Sequence, residues 1–225
     1  MDADAVHIVA TEFGFGLQCH HHPMNVGDIF CREEPCVSIH EADMMDMAMC
    51  DDVLGLPVTS RYGKIGLLLL KQDCLSKVLA FCEGRQELFS PSFLSQVSIA
   101  AQEMSEDFVE GADTFSDTQE KYRQALISFQ SNAWRGPGDG RFSLYQTICR
   151  ANHSCSPNAL VGNDNGKGMF TALQTIAPGD EIRPSYVSVE VLESSVIERR
   201  QVLAQGWGFW CGCHRCMSEA SCSRE

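Results

Sequence analysis

Short apolar runs broken by turn formers fill the first forty residues. Val6 to Ala10 is largely apolar, Gly14-Phe15-Gly16 interrupts it, and Ile29 to Ile39 resumes with Pro35 inside. A proline there fits an edge strand or a bend, because it cannot donate to a sheet ladder. No buried helix would run through so many breakers, so residues 6–40 are expected to form short strands. Residues 41–63 show little periodicity, and their methionine-rich acidic patch at 43–52 is expected to be a surface loop or short helix.

From 73 to 131 the period lengthens to that of a helix. Leu75, Val78, Leu79 and Cys82 make one apolar face. Ser90-Pro91 is a cap-and-first-turn pair, because a serine oxygen accepts an orphan N–H and proline has none to lose. Leu94, Val97, Ala101, Met104 and Phe108 follow on one stripe, and Tyr122, Ala125, Leu126 and Phe129 mark a third helix. Strand patterns return at Ala159–Val161 and Met169–Leu173, flanking Asn165-Gly166, whose residues tolerate the positive φ of a tight hairpin. Pro178-Gly179-Asp180 is another turn, and a last helical stretch near 190–205 leads into Trp207-Gly208-Phe209-Trp210. The fold class is α+β: a β-rich body with a helical insert.

A chain of 225 residues can bury one sizeable core, or a core and a small satellite. Its 44% hydrophobic and 21% charged content is that of ordinary globular proteins. No apolar run is long enough for a spanning helix, and the start MDADAVHIVATEF lacks the basic-then-apolar order of a secretory signal. The expectation is a soluble intracellular protein, in nucleus or cytoplasm, with no membrane partner. A net charge of −13 argues against a direct nucleic-acid partner and suits a basic one. Nothing in the pattern sets an oligomeric state.

Twelve cysteines in such a chain point to metal rather than disulfides. Cys211-x-Cys213-x-x-Cys216 puts three thiols within six residues, and zinc takes four ligands in a tetrahedron. His214 and Cys222 are local choices for the fourth, while a distant cysteine would join two segments and stabilise more. Cys155 stands out by its polar, turn-rich setting, Asn152-His153-Ser154-Cys155-Ser156-Pro157-Asn158. Cys19-His20-His21-His22, with Cys31, Cys36 and His40 downstream, is rich in donors but contains no C-x-x-C knuckle, and reads as a solvated histidine loop beside core cysteines. Cys50, Cys74, Cys82 and Cys149 are expected to pack as small hydrophobes.

Four elements, in order, carry a resemblance: Gly14-Phe15-Gly16; Asn152 to Ala159; Gly179-Asp180-Glu181-Ile182-Arg183-Pro184-Ser185-Tyr186; and the Cys211–Cys216 cluster. Together they resemble the SET domain of protein lysine methyltransferases with its post-SET zinc motif. Glu198-Arg199-Arg200-Gln201-x-Leu203 and Trp207-x-Phe209-x-Cys211 are similar to the SET-and-MYND branch, although the paired knuckles of a MYND finger are not found between the two SET halves. The resemblance implies a β-rich SET fold of small curved sheets with a pseudoknot. It divides the chain into an N-terminal SET half (1–40), a helical insert (41–131), a C-terminal SET half (132–190) and a post-SET zinc segment (191–225).

The implied cofactors are S-adenosylmethionine and zinc, and the implied partner is a lysine-containing protein or peptide. Gly14, Phe15, Gly16, Asn132, Asn152, His153, Tyr186 and Phe209 would contact the methyl donor. Tyr186 would be the catalytic phenol, and Tyr186 with Trp207 would line the substrate channel. Cys155, Cys211, Cys213 and Cys216 would hold the zinc. Phe13 stands where the family has a basic residue, and Trp207 where the branch often has a second tyrosine. Two other readings stay open: a SET-fold scaffold without catalysis, and a zinc-stabilised interaction domain of unrelated fold.

Overall fold

The computed structural model describes residues 5–11, 14–45, 62, 65–66, 68–69, 74–81, 85–107, 115–135 and 140–222. Phe13, Cys50, Cys82, Phe108 and most of the methionine-rich patch lie outside them. In chain order the strands are β1 (Val6–Thr11), β2 (Gly14–Cys19), β3 (Ile29–Glu33), β4 (Val37–His40), β5 (Trp134–Arg135), β6 (Arg141–Leu144), β7 (Ala159–Asp164), β8 (Lys167–Ala172) and β9 (Glu181–Ile182). The helices used below are α1 (Glu41–Met45), α2 (Leu75–Leu79), α3 (Pro91–Asp107), α4 (Phe115–Asn132), α5 (Val189–Leu192), α6 (Val196–Trp207) and α7 (His214–Cys222). None of the described helices is long and apolar enough to cross a membrane.

Two compact units make up the chain. The first takes Met1–Pro35, Tyr145–Gln205 and Phe209–Glu225. It holds two three-stranded antiparallel sheets, ordered β1-β2-β9 and β3-β8-β7. Leu17, facing Ile182 across the β2–β9 pair, is fully buried with it. Phe170 on β8 stacks on Phe30 of β3 with ring centroids 5.6 Å apart. The β7–β8 hairpin turns at Asn165 and Gly166, with φ of 54° and 92°, as the Asn-Gly pair requires. Gly14-Phe15-Gly16, expected to interrupt the first strand, instead lies inside β2. Gly14 reaches a φ of 104° there and opens the strand at the hairpin end. Of the two roles open to Pro35, edge strand or bend, it takes the bend: β3 stops at Glu33, and β4 belongs to another sheet.

The second unit takes Cys36–Leu144 and Gly206–Gly208. Its sheet is ordered β4-β6-β5. α3 opens at Pro91, and the Ser90 hydroxyl oxygen accepts the Phe93 N–H at 3.2 Å. Such a cap contributes about 1 kcal/mol. Val97, Ala101 and Met104 of α3 are buried, as are Tyr122, Ala125, Leu126 and Phe129 of α4, so the expected stripes are the ones that pack. Phe93 and Ala100 widen the α3 stripe. Gly206 and Gly208 are held within this unit: Gln130 donates to the Gly206 carbonyl at 3.3 Å, and the Arg85 N–H to that of Gly208 at 2.8 Å.

Candidate active site and metal centre

The four cysteines, the 151–158 run, 181–186 and the arginines around them all lie in the first unit. After a 3₁₀ turn at Ile148–Arg150, residues 151–158 run without regular structure. They are tied to 181–184 instead: the Ser154 N–H donates to the Pro184 carbonyl at 2.9 Å and the Asn158 N–H to that of Arg183 at 3.1 Å. The Asn158 side chain completes the junction like a second peptide group. Its amide donates to the Glu181 carbonyl at 2.8 Å, and its oxygen accepts the Arg183 N–H at 2.7 Å. An asparagine is suited to this place because one side chain carries both donor and acceptor.

That run delivers Cys155 to the tail cysteines. The sulfurs of Cys155, Cys211, Cys213 and Cys216 all lie within 4.8 Å of one another, and all four residues are buried. Cys155 is 3.9 Å from Cys211 and 3.5 Å from Cys216, sulfur to sulfur. A zinc ion with four sulfurs at about 2.3 Å needs S···S edges of about 3.8 Å, so the set fits. Its acid–base chemistry fits too. Hydrogen bonds with Cys211 and Cys213, and burial, push the Cys155 thiol far up, while bonds from Cys155 and Cys211 hold Cys213 down. Four thiols this close share protons among themselves; a divalent cation would replace those protons and hold all four as thiolates. The local alternatives fall away, since His214 and Cys222 are exposed and outside the cluster. The segment continues as α7, which brings Cys216 under Cys213 at helical spacing.

Arginines surround this centre. Arg199 is fully buried on the same stripe of α6 as Val196 and Leu203. Its guanidinium donates to the Glu219 carboxylate at 2.6 Å, the Ser194 carbonyl at 2.6 Å and the Cys216 sulfur at 3.6 Å. Arg215 donates to Glu219 at 2.8 Å and to the Cys155 carbonyl at 3.1 Å, and Arg200 to the Cys211 carbonyl at 2.9 Å. Zinc with four thiolates is doubly negative, so a buried guanidinium beside it compensates charge that would otherwise sit unpaired.

Next to the cysteines, the remaining polar groups converge. A Cβ added to Gly16 would lie 2.8 Å from Thr11 Cγ2 and 3.0 Å from both Asn152 Nδ2 and Glu181 Oε1, so any side chain there must push its neighbours aside. Asn152 Nδ2 donates to Glu181 Oε1 at 2.8 Å and to the Phe15 carbonyl at 3.2 Å, which fixes the amide's orientation. Arg183 pairs with the other oxygen of Glu181. Phe15 itself is exposed beneath the Arg150 guanidinium, 5.5 Å from its ring centre.

His153 is buried, and burial pushes its pKa down to about 4, so the ring is neutral. Its Nδ1 accepts the Tyr186 N–H at 3.0 Å, and its Nε2 lies 3.2 Å from the Cys155 sulfur. Tyr186 is half-buried, and its hydroxyl donates to the Ala151 carbonyl at 2.6 Å. Burial first, and then the nearby Cys149 and Glu181, raise this phenol above its ordinary value. The rings of His153, Tyr186 and Phe209 form a cluster with centroids 5.3 to 6.0 Å apart, Phe209 meeting Tyr186 edge-on.

Residues 24–187 match the family model described as "SET domain". The chain belongs to the SET domain family. Among curated relatives, it is 37% identical over 113 residues to mouse protein-lysine N-trimethyltransferase SMYD5, covering 49% of this chain and 26% of that protein. The zebrafish protein of the same name is 30% identical over 176 residues, covering 70% and 41%. A SET and MYND domain-containing protein of Dictyostelium discoideum is 32% identical over 97 residues, covering 43% and 27%. This SET chain therefore spans well under half the length of the curated relatives it matches. Its fold is that of Rubisco LSMT, whose structure bound to AdoMet superimposes with a TM-score of 0.63 at 11% identity, over 94% of this chain and 53% of that one. An unrelated zinc-stabilised fold is thereby excluded.

Of the residues singled out in the sequence, the SET chain gathers Gly14, Phe15, Gly16, Asn152, His153, Tyr186, Phe209 and the four cysteines in its first unit. Asn132 and Trp207 belong to the second. Asn132, the last residue of α4, donates back to the Ser128 carbonyl at 2.7 Å, and Trp207 closes α6. The sequence reading assigned no role to Glu181, Arg199, Arg215 or Glu219. One signal was available: Arg199 interrupts an otherwise apolar stripe three residues after Val196 and four before Leu203. Elsewhere, Cys74 and Cys149 are buried as expected, and among the described residues no metal-ligating cluster includes Cys19 or His20 to His22.

Proposed function

We propose that this SET chain transfers a methyl group from S-adenosylmethionine to the amine of a lysine in a protein substrate. The observation carrying the proposal is the convergence of Gly16, Asn152, Tyr186 and Phe209 beside one four-cysteine centre. The names of the lysine-methylating relatives support it, as does AdoMet in the superimposed SET structure. On this reading 1–40 and 132–190 are the SET halves, 41–131 the helical insert and 191–225 the post-SET segment. An intracellular setting, nuclear or cytoplasmic, goes with it.

When bound, S-adenosylmethionine supplies an electrophilic methyl on a sulfonium, which accepts the lysine lone pair as the bonding pair leaves with sulfur. Gly14 and Gly16 would let backbone approach it, while Asn152, its amide oriented by Glu181 and Phe15, would present its oxygen to the donor's amino-acid end. Phe15 would add a further contact, and Phe209 a ring face. Lysine has an ordinary pKa of about 10.4, so an amine nucleophile requires a site that disfavours the ammonium. Aromatic walls from Tyr186 and Phe209 would remove water from it, and desolvation lowers an amine's pKa. The Tyr186 phenol stays protonated and commits that proton to Ala151, so its oxygen acts as an acceptor that aims the amine rather than as a base. The amine's proton leaves to solvent. Cys155, Cys211, Cys213 and Cys216 would hold zinc in a closed set that fixes residues 209–216 and gives the metal no part in bond making.

A second reading, a SET scaffold without catalysis, draws on Phe13 and Trp207, which depart from the family pattern. Calorimetry with S-adenosylmethionine, followed by mass spectrometry of lysine peptides incubated with both, separates the two. Binding together with methyl-sized mass gains supports the transferase. Binding without any gain on any peptide supports the scaffold.

A further inference from the structure

Both ring nitrogens of His153 are already engaged within the protein. Nδ1 accepts the Tyr186 N–H, so the single proton of the neutral imidazole is on Nε2, where it points at the Cys155 sulfur. We infer that His153 is a positioning residue that couples metal at the four-cysteine centre to the orientation of Tyr186. The inference deepens the methyl-transfer reading and rests on it.

The geometry makes such coupling mechanical. A rigid ring holds a sulfur at one edge, 3.2 Å away, and a backbone amide at the other, 3.0 Å away, so turning to serve one end breaks the other. Tyr186 is gripped twice by the same short run: its amide by His153 and its hydroxyl by the Ala151 carbonyl, at 2.6 Å. Ring packing against Tyr186 and Phe209 leaves the buried imidazole little room to swing. The strength of the sulfur end depends on the state of Cys155. A metal-bound thiolate is a strong, charged acceptor for an N–H, whereas a thiol is a weak one. Metal at the centre thus tightens the ring, and the ring holds Tyr186. With both nitrogens committed, a contact between His153 and the methyl donor falls to its backbone.

The test loads the full chain with a spin-active cadmium isotope in place of zinc and observes isotope-labelled histidine by NMR. The Nε2 proton of His153 should show a coupling to cadmium through the hydrogen bond, with Nδ1 at the position of an unprotonated nitrogen. Exchange of zinc for cadmium should also move the Tyr186 amide signal, without any mutation. In His153→Gln that signal should stop responding to the exchange, kcat should fall about ten- to a hundred-fold as the phenol is misplaced, and the KM for S-adenosylmethionine should hold. No coupling with metal on all four cysteines, or an unmoved Tyr186 signal, overturns the inference. So does a variant that loses activity through KM alone. Methyl transfer failing on every peptide would sink the functional reading while leaving the resonance result standing, so the two failures are told apart.

Discussion

One carbon added at Gly16 would collide with Thr11, Asn152 and Glu181 at once. The easiest of the three to displace is the Asn152 amide, whose other bond is the longer one, 3.2 Å to the Phe15 carbonyl. Gly16→Ala should therefore weaken S-adenosylmethionine binding roughly ten-fold, about 1.4 kcal/mol, by calorimetry, with little change in unfolding midpoint. Unchanged affinity would remove Gly16 from the site. Arg199 belongs to another class of residue: its charge is buried among Glu219, Ser194 and Cys216. Arg199→Met leaves Glu219 with Arg215 alone and the cysteines without their buried counter-charge. Glu219 is partly exposed, so the loss should fall below the about 3–5 kcal/mol of a wholly buried pair and above the about 1 kcal/mol ceiling of an exposed one, readable in denaturant melts of the metal-loaded chain; a loss under about 1 kcal/mol would make it an ordinary surface pair. Cys155 could be picked out from its polar surroundings and the family motif. Arg199 could not be assigned, because sequence spacing reveals a helix face but not the sulfur packed against it.

Among elements, the best signalled were those with their own local chemistry: Ser90-Pro91 before α3, Asn165-Gly166 between β7 and β8, and the apolar stripe of α4. Gly14-Phe15-Gly16 lies inside β2 because it pairs with Val9 to Thr11 of β1 across a short hairpin, while the cysteine tail meets a partner distant in sequence, Cys155. So does the 3₁₀ turn that feeds the 151–158 run. Glu33, at the end of β3, accepts the Thr147 and Ile148 N–H groups at 3.0 and 2.6 Å and so closes that turn. Burial outweighs these bonds and raises the Glu33 pKa above its ordinary 4.5. The folded chain then holds this proton more tightly than the unfolded one, so its contribution to stability is greatest below pH 4.5 and falls as pH climbs through the raised value. A glutamine keeps an oxygen for both N–H groups and does not titrate. Glu33→Gln should gain on the wild type as pH rises across that window, in melts at a series of pH values. A difference flat with pH would show that the folded and unfolded carboxyls titrate alike.

For the whole molecule, the metal centre joins segments that are far apart in the chain, since Cys155 lies 56 residues before Cys211. The two sheets of the first unit draw on β1–β3 and β7–β9 and include none of the four cysteines. Stripping zinc with a strong chelator should therefore release 209–222 and abolish methyl transfer while far-ultraviolet circular dichroism keeps its strand signal. Full activity in metal-free protein would refute a structural role for zinc. Which lysine is served was not legible in the residues, because an acidic chain at −13 suits any lysine-rich segment. The most direct measurement is radiolabelled methyl transfer from S-adenosylmethionine across an array of lysine peptides, with Tyr186→Phe alongside. Wild-type protein should label a subset of peptides at lysine, and the variant should label the same subset at least ten-fold more slowly. No label on any peptide despite bound cofactor and metal, or equal labelling by both proteins, would contradict a methyl transfer aimed by Tyr186.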